Sequence, residues 1–161
     1  MGDKLKNLEE LKEIVRKCRQ ENKKIATTNG SFDLLHIGHI YMLESAKRLT
    51  DVLIVLLNSD ASVKKLKGEK RPVVPERERA EILSALGCVD FVLIFDEEIP
   101  LKAIAGLKPD MHIKGGTFVL ERIKEEKALL ESWGGRHITL PIVKGYSTTN
   151  IIETVLKNYK N

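Results

Sequence analysis

Helix-like and strand-like apolar patterns alternate along this chain from end to end, and that alternation admits few folds. Each helix must carry the chain back across a sheet to start the next strand in the same direction, which produces a parallel sheet with helices packed on both faces. An amphipathic helix near residues 7–20, with Leu8, Leu11, Ile14, Val15 and Cys18 on one side, comes first. Five strands are expected at Lys24–Thr28, Val52–Leu57, Phe91–Phe95, Met111–Lys114 and His137–Leu140. Helices are expected at Gly38–Leu49, Pro75–Leu86, Leu101–Leu107, Glu121–Ser132 and Thr149–Tyr159, with proline at one helix start and Gly134-Gly135 as a helix stop. Residues Ala61–Val74, rich in lysine, read as a basic mobile loop.

A chain of 161 residues can bury one substantial core, and no linker divides it, so one domain is expected. Its 27 basic and 23 acidic residues leave a charge of +4, enough to favour anionic small molecules but little reason to expect a nucleic-acid partner. The first residues lack an apolar leader and the apolar run Val52–Leu57 is too short to cross a bilayer, which points to a cytoplasmic protein without a membrane partner. Cys18 and Cys88 are too few and too far apart for a disulfide framework or a four-cysteine zinc site, and read as buried free thiols.

Chemistry concentrates where strands end. In Thr28-Asn29-Gly30-Ser31-Phe32-Asp33-Leu34-Leu35-His36-Ile37-Gly38-His39, two imidazoles flank the start of a helix, where unpaired N–H groups and the helix dipole attract anions. Gly30 and Ser31 supply a permissive turn and a hydroxyl, and Gly38 removes a side chain where a nucleotide would approach the backbone. The turn at Asp60, Lys114-Gly115-Gly116 and Ser147-Thr148-Thr149 also follow expected strands. The carboxyl ends of parallel strands share one crevice, so these four segments converge on one phosphate-binding site. His112 and His137 lie within strands and read as core or edge residues, and Trp133 and Tyr146 as packing aromatics. A P-loop and a Gly-x-Gly-x-x-Gly fingerprint are both absent, which removes the common alternatives for nucleotide binding.

The stretch from Gly30 to His39 resembles the signature of the cytidylyltransferase-like nucleotidyltransferases. Asn58-Ser59-Asp60-Ala61-Ser62, Leu66-Lys67-Gly68, Arg71-Pro72-Val73, Lys114-Gly115-Gly116 and Ser147 to Ile152 resemble, within that group, the adenylyltransferases of ADP-heptose synthesis. The resemblance implies a Rossmann-like α/β fold and a role in ADP-heptose and lipopolysaccharide biosynthesis. It makes His36, His39 and Lys67 catalytic, and gives nucleotide binding to Gly30, Ser31, Phe32, Gly38, Arg79, Lys114, Gly115, Ser147 and Thr148. Asp33, Asp60 and Arg71 are candidates for the acceptor or a metal, with Mg²⁺ arriving on ATP rather than in a protein cage. Two positions depart from related patterns: Ile142 and Val143 stand where cytidylyltransferases carry Arg-Thr, and Thr117 stands where the heptose group carries aspartate.

The implied reaction is AMP transfer from ATP to D-glycero-β-D-manno-heptose 1-phosphate, yielding ADP-heptose and pyrophosphate. A separate sugar kinase would make the acceptor, and a homodimer is left open. Glycerol-3-phosphate cytidylyltransferase and FMN adenylyltransferase are the enzymatic alternatives, and a nucleic-acid-binding module using the basic segment is the non-enzymatic one.

Overall fold

In the computed structural model, residues 3–116, 120–141 and 145–159 are described. The elements run α1 (Leu8–Gln20), β1 (Ile25–Gly30), α2 (Ile37–Lys47), β2 (Val52–Asn58), α3 (Asp60–Lys67), α4 (Glu76–Ser84), β3 (Phe91–Phe95), α5 (Leu101–Leu107), β4 (Met111–Gly115), α6 (Leu120–Glu131), β5 (Arg136–Leu140) and α7 (Thr148–Tyr159). The five strands form one sheet in the order β3-β2-β1-β4-β5, and every pairing is parallel. This is the expected Rossmann-like sheet.

Burial follows strand periodicity. Along β2, Leu53, Val55 and Leu57 enter one core with Ala26, Leu43, Ala80 and Leu83, whereas Val52, Ile54 and Leu56 enter the other with Leu11, Ile25, Ile104 and Leu130. Alternate side chains leave opposite faces of a strand, so an unbroken apolar run is what a strand covered on both sides requires. Helices α2 and α4 contribute to the first core, and α1, α5 and α6 to the second. Local chemistry sets several boundaries. Asn7 caps α1 in a reciprocal box with Glu10, and Gly134 takes φ +83° after α6 as its sequence context predicts.

One expectation is corrected. Residues 60–67 form α3 rather than the first half of a loop. The Ser59 side chain accepts from the Ser62 backbone N–H at 3.2 Å, supplying the cap, and Ser62 and Val63 bury one side of the helix against the sheet. The run of lysines obscures that short amphipathic pattern. The thiols of Cys18 and Cys88 are free, as expected, but half-buried rather than enclosed.

The strand order reverses direction at β1, which has β2 on one side and β4 on the other. A crevice opens at such a point because the following segments leave toward opposite sides. Helix α2 forms one wall and is anchored through Leu43, whose side chain is fully buried. Leu43→Ala is expected to lower unfolding free energy by about 2–5 kcal/mol, the range for truncating an enclosed leucine, read as a reduced urea midpoint. A midpoint within experimental error of the unsubstituted protein would show that α2 is not held through this contact.

Candidate active site

The crevice contains an outer cavity of about 500 Å³ lined by His36, Gly38, His39, Met42, Lys67, Arg71, Gly115, Gly116, Pro141, Tyr146, Ser147, Thr148 and Thr149. An inner recess of about 210 Å³ lies at the ends of β1 and β4 and shares His39, Met42, Lys67, Gly115 and Thr148 with it. Asn29, Gly30, Ser31, Phe32, Asp33 and Lys114 complete the recess. The four strand-end segments therefore supply different walls, except that Asp60 lies in a separate depression with Ser59 and Glu76.

His36 and His39 are stacked, with ring centroids 3.8 Å apart and planes 22° from parallel. The His36 backbone N–H donates to His39 Nδ1 at 3.4 Å, which leaves the protonated Nε2 of the neutral ring as its other polar atom. Phe32 has φ +42°, rare for an aromatic residue, and its ring lies 5.1 Å from that of His39. Burial pushes the His39 pKa down to about 4, reinforced by His36 and Lys67. The same desolvation lowers His36. Lys67 is held below the ordinary lysine range by burial, then by Arg71, while Asp33 opposes the shift. The site thus concentrates donors in a setting that disfavours positive charge, and an anion would relieve that cost.

Gly38 and Gly115 are needed for space. A Cβ at Gly38 would lie 3.0 Å from His36 Nδ1 and 3.2 Å from Tyr146 Cβ. At Gly115 it would lie 2.6 Å from Met42 Cγ. At the far wall, Ser147 Oγ accepts from the Asn150 backbone N–H at 3.0 Å and caps α7, while the Thr148 hydroxyl reaches the Leu34 carbonyl at 3.4 Å. The first turns of α2 and α7 therefore meet across the outer cavity, with free N–H groups at both helix starts.

Other assigned residues hold the walls in place. Asp33 Oδ1 accepts from the backbone N–H groups of Val73 and Val74 at 2.8 and 2.9 Å, and Oδ2 pairs with Arg71 Nε at 2.6 Å. Burial alone would raise the Asp33 pKa, but these contacts reverse the sign and hold it below the usual carboxylate range. Arg79 corrects the sequence expectation: it does not face either cavity, and only 1% of it is exposed. Its guanidinium donates to the Val74, Ser31 and Asn58 carbonyls and pairs with Asp60 at 2.6 Å. Asp60 is thereby placed beside Arg79. Lys114 reaches the recess but is mostly buried and ion-paired to Glu126 at 2.6 Å.

Sequence reasoning missed Asn29, Met42 and Glu126, whereas Thr149 lies in the Ser147-Thr148-Thr149 segment expected at the site. Only Asn29, adjacent to the Gly30-Ser31 turn, carried a sequence signal that could have identified it. Tyr146 lines the cavity and is 48% exposed, so it is not primarily a packing residue. Trp133 does pack, and its indole N–H donates to the Pro109 carbonyl at 3.1 Å. His112 is enclosed in the core, as expected. Thr117, Ile142 and Val143 lie outside the described residues.

Comparison with known proteins agrees with this geometry. Residues 27–154 match the family model described as cytidylyltransferase-like. The bifunctional protein HldE of Trichlorobacter lovleyi is 50% identical over 156 residues, covering 97% of this chain but 32% of that protein. The chain thus spans about a third of the length of this curated relative. The crystal structure of the lipopolysaccharide core biosynthesis protein from Thermoplasma volcanium GSS1 has 28% identity and a TM-score of 0.62, covering 78% of this chain and 99% of that one. Pantoate-beta-alanine ligase from Francisella tularensis, solved with β,γ-ATP and β-alanine, has a TM-score of 0.64 at 16% identity, covering 98% of this chain and 78% of that one, and supports the fold alone.

The depressed His39 pKa predicts a pH dependence. An unfolded histidine titrates near 6.5, whereas folded His39 takes its proton only near 4. Between those values the unfolded chain binds more protons, so folding stability falls as pH falls. His36, His112 and His137 are shifted in the same direction by burial. His39→Gln should flatten part of the loss in urea midpoint between pH 7 and pH 4.5. An unchanged slope would contradict the buried neutral state of His39.

Proposed function

The chain belongs to the cytidylyltransferase-like family, and on that premise we propose that it transfers AMP from ATP to a sugar 1-phosphate, D-glycero-β-D-manno-heptose 1-phosphate. The observation carrying the nucleotidyl-transfer reading is the convergence of His36, His39, Lys67 and the α7 start on one cavity at the strand-order reversal. The resemblance to ADP-heptose adenylyltransferases supplies the acceptor, and similarity to HldE and to a lipopolysaccharide core biosynthesis protein supports it.

In the proposed reaction, an oxygen of the acceptor phosphate forms a bond to the α-phosphorus of ATP. The bond from that phosphorus to the bridging oxygen breaks, and pyrophosphate leaves with the electron pair. A phosphate monoester has its second pKa near about 6, so the nucleophile is already largely ionised at neutral pH. The protein therefore needs to align the two phosphates and stabilise charge on the transferred and leaving groups. His39 supplies a neutral ring donor, Lys67 an ammonium, and the helix starts backbone N–H groups.

Mg²⁺ belongs to the proposal as a companion of the triphosphate. The residues do not fit an independent protein site: Asp33 is taken by Arg71 and two backbone donors, Asp60 is paired with Arg79, and no group of three or more His, Cys, Asp or Glu suited to a metal occurs among the described residues. We further propose that a sugar kinase activity supplies the heptose 1-phosphate acceptor. Among the described residues no helix is long and apolar enough to cross a membrane.

The test is a panel of ATP and CTP against heptose 1-phosphate, glycerol 3-phosphate and FMN, with pyrophosphate release and product mass measured together. ATP with heptose 1-phosphate should give the highest kcat/KM and the mass of an ADP-heptose. A preference for CTP with glycerol phosphate, or for FMN, would reassign the substrate. His36→Ala and His39→Ala should each reduce turnover by on the order of a hundredfold or more while remaining folded, as for loss of a preorganised electrostatic donor. Near-normal turnover in both variants would remove the histidines from the mechanism.

A further inference from the structure

Behind the inner recess lies a buried polar relay that the sequence motifs do not describe. Thr27 on β1 and His112 on β4 are cross-strand partners, and both are fully buried. Thr27 Oγ1 lies 2.7 Å from His112 Nδ1, while His112 Nε2 lies 3.2 Å from Asn29 Oδ1. Glu126 Oε1 is also on the Nε2 side, at 3.9 Å. Burial, and then the neighbouring Lys114 and His137, keeps this imidazole neutral, so only one ring nitrogen carries hydrogen.

Electrostatics selects which one. Nε2 faces the Glu126 carboxylate, whose two oxygens are both acceptors, and a bare nitrogen lone pair there would be repelled by it. The hydrogen therefore belongs on Nε2, which donates to Asn29 Oδ1, and the Thr27 hydroxyl donates to Nδ1. That arrangement fixes the Asn29 amide because its oxygen must face His112. Its Nδ2 group makes no hydrogen bond among the described residues, and Asn29 lines the recess beside Lys67 and Lys114.

We propose that Asn29 is a substrate-contacting residue that donates from Nδ2 to a phosphoryl oxygen in the inner recess, and that His112 is the positioning residue that presets its amide. The inference rests on the nucleotidyl-transfer reading and adds a neutral donor to a recess that already holds two lysines. A neutral amide held from behind gives a directional contact without further positive charge, and loses little side-chain freedom when the anion arrives. The phosphoryl group is either one of ATP or that of the acceptor, since both present the same oxygen chemistry.

The test uses nitrogen-15 NMR of the Asn29 side-chain amide in the unsubstituted protein, titrated separately with ATP and with heptose 1-phosphate. A shift with ATP assigns the contact to the nucleotide, a shift with sugar phosphate assigns it to the acceptor, and an amide unmoved by either overturns the proposal. Asn29→Ala should weaken binding of the responsive ligand roughly ten- to a hundredfold, as for loss of a hydrogen bond to a charged group, and Asn29→Asp should weaken it further. His112→Leu should reproduce the Asn29→Ala defect, while His112→Gln, which restores a donor near Nε2, should recover most of the binding. Equal defects in folded His112→Leu and His112→Gln would overturn the positioning role. If the unsubstituted protein turns over but folded Asn29 variants bind both ligands normally, this proposal alone fails. If it binds neither ligand and releases no pyrophosphate, the functional reading falls and takes the proposal with it.

Discussion

The Arg79 guanidinium is the contact on which the site's shape depends. It joins the carbonyl beyond β1 at Ser31, the end of β2 at Asn58, the segment before α4 at Val74 and the first residue of α3 at Asp60. A buried guanidinium is costly unless its donors are satisfied, so those four groups are compelled to remain together. Asp33 extends the same arrangement by holding Arg71, Val73 and Val74. Lys67 sits between these two clasps at the end of α3, facing the cavity. The chemistry proposed for the crevice thus depends on groups that do not all enter it.

This arrangement changes the account of Lys67. A lysine on a mobile loop would close after substrate arrives, whereas a lysine ending a capped helix, with Asp33 fastening the next segment, is positioned beforehand. Preorganisation is the more effective arrangement for stabilising developing charge because little reorientation remains for the reaction step. The lowered pKa values of His39 and Lys67 are consistent with that arrangement: neutral His39 lies beside Lys67, and Lys67 beside Arg71, in a partly desolvated recess that favours an anion.

The sheet and much of the cavity were legible because hydrophobic periodicity and glycine spacing are local properties. Val52 to Leu57 announced a strand, and Gly30, Gly38 and the two histidines marked the turn into α2. Arg79 was legible as an important residue but not as a buried one, since its four partners come from separate segments and none lies within four residues of it. Asn29 was legible only as a neighbour of the Gly30-Ser31 turn, because its partner His112 lies 83 residues away along the chain. Residues 60–67 misled because lysine abundance resembles loop composition, although Ser59 supplies a sound helix cap.

The central claim, that the site is assembled before nucleotide arrives, is tested most directly by hydrogen exchange at the Val73 and Val74 amides. Both donate to the buried Asp33 carboxylate, so their exchange should be slow in the ligand-free protein and change little when ATP is added. Exchange at the rate of an unstructured chain without nucleotide, followed by strong protection with ATP, would contradict the account and show that the wall forms only on binding.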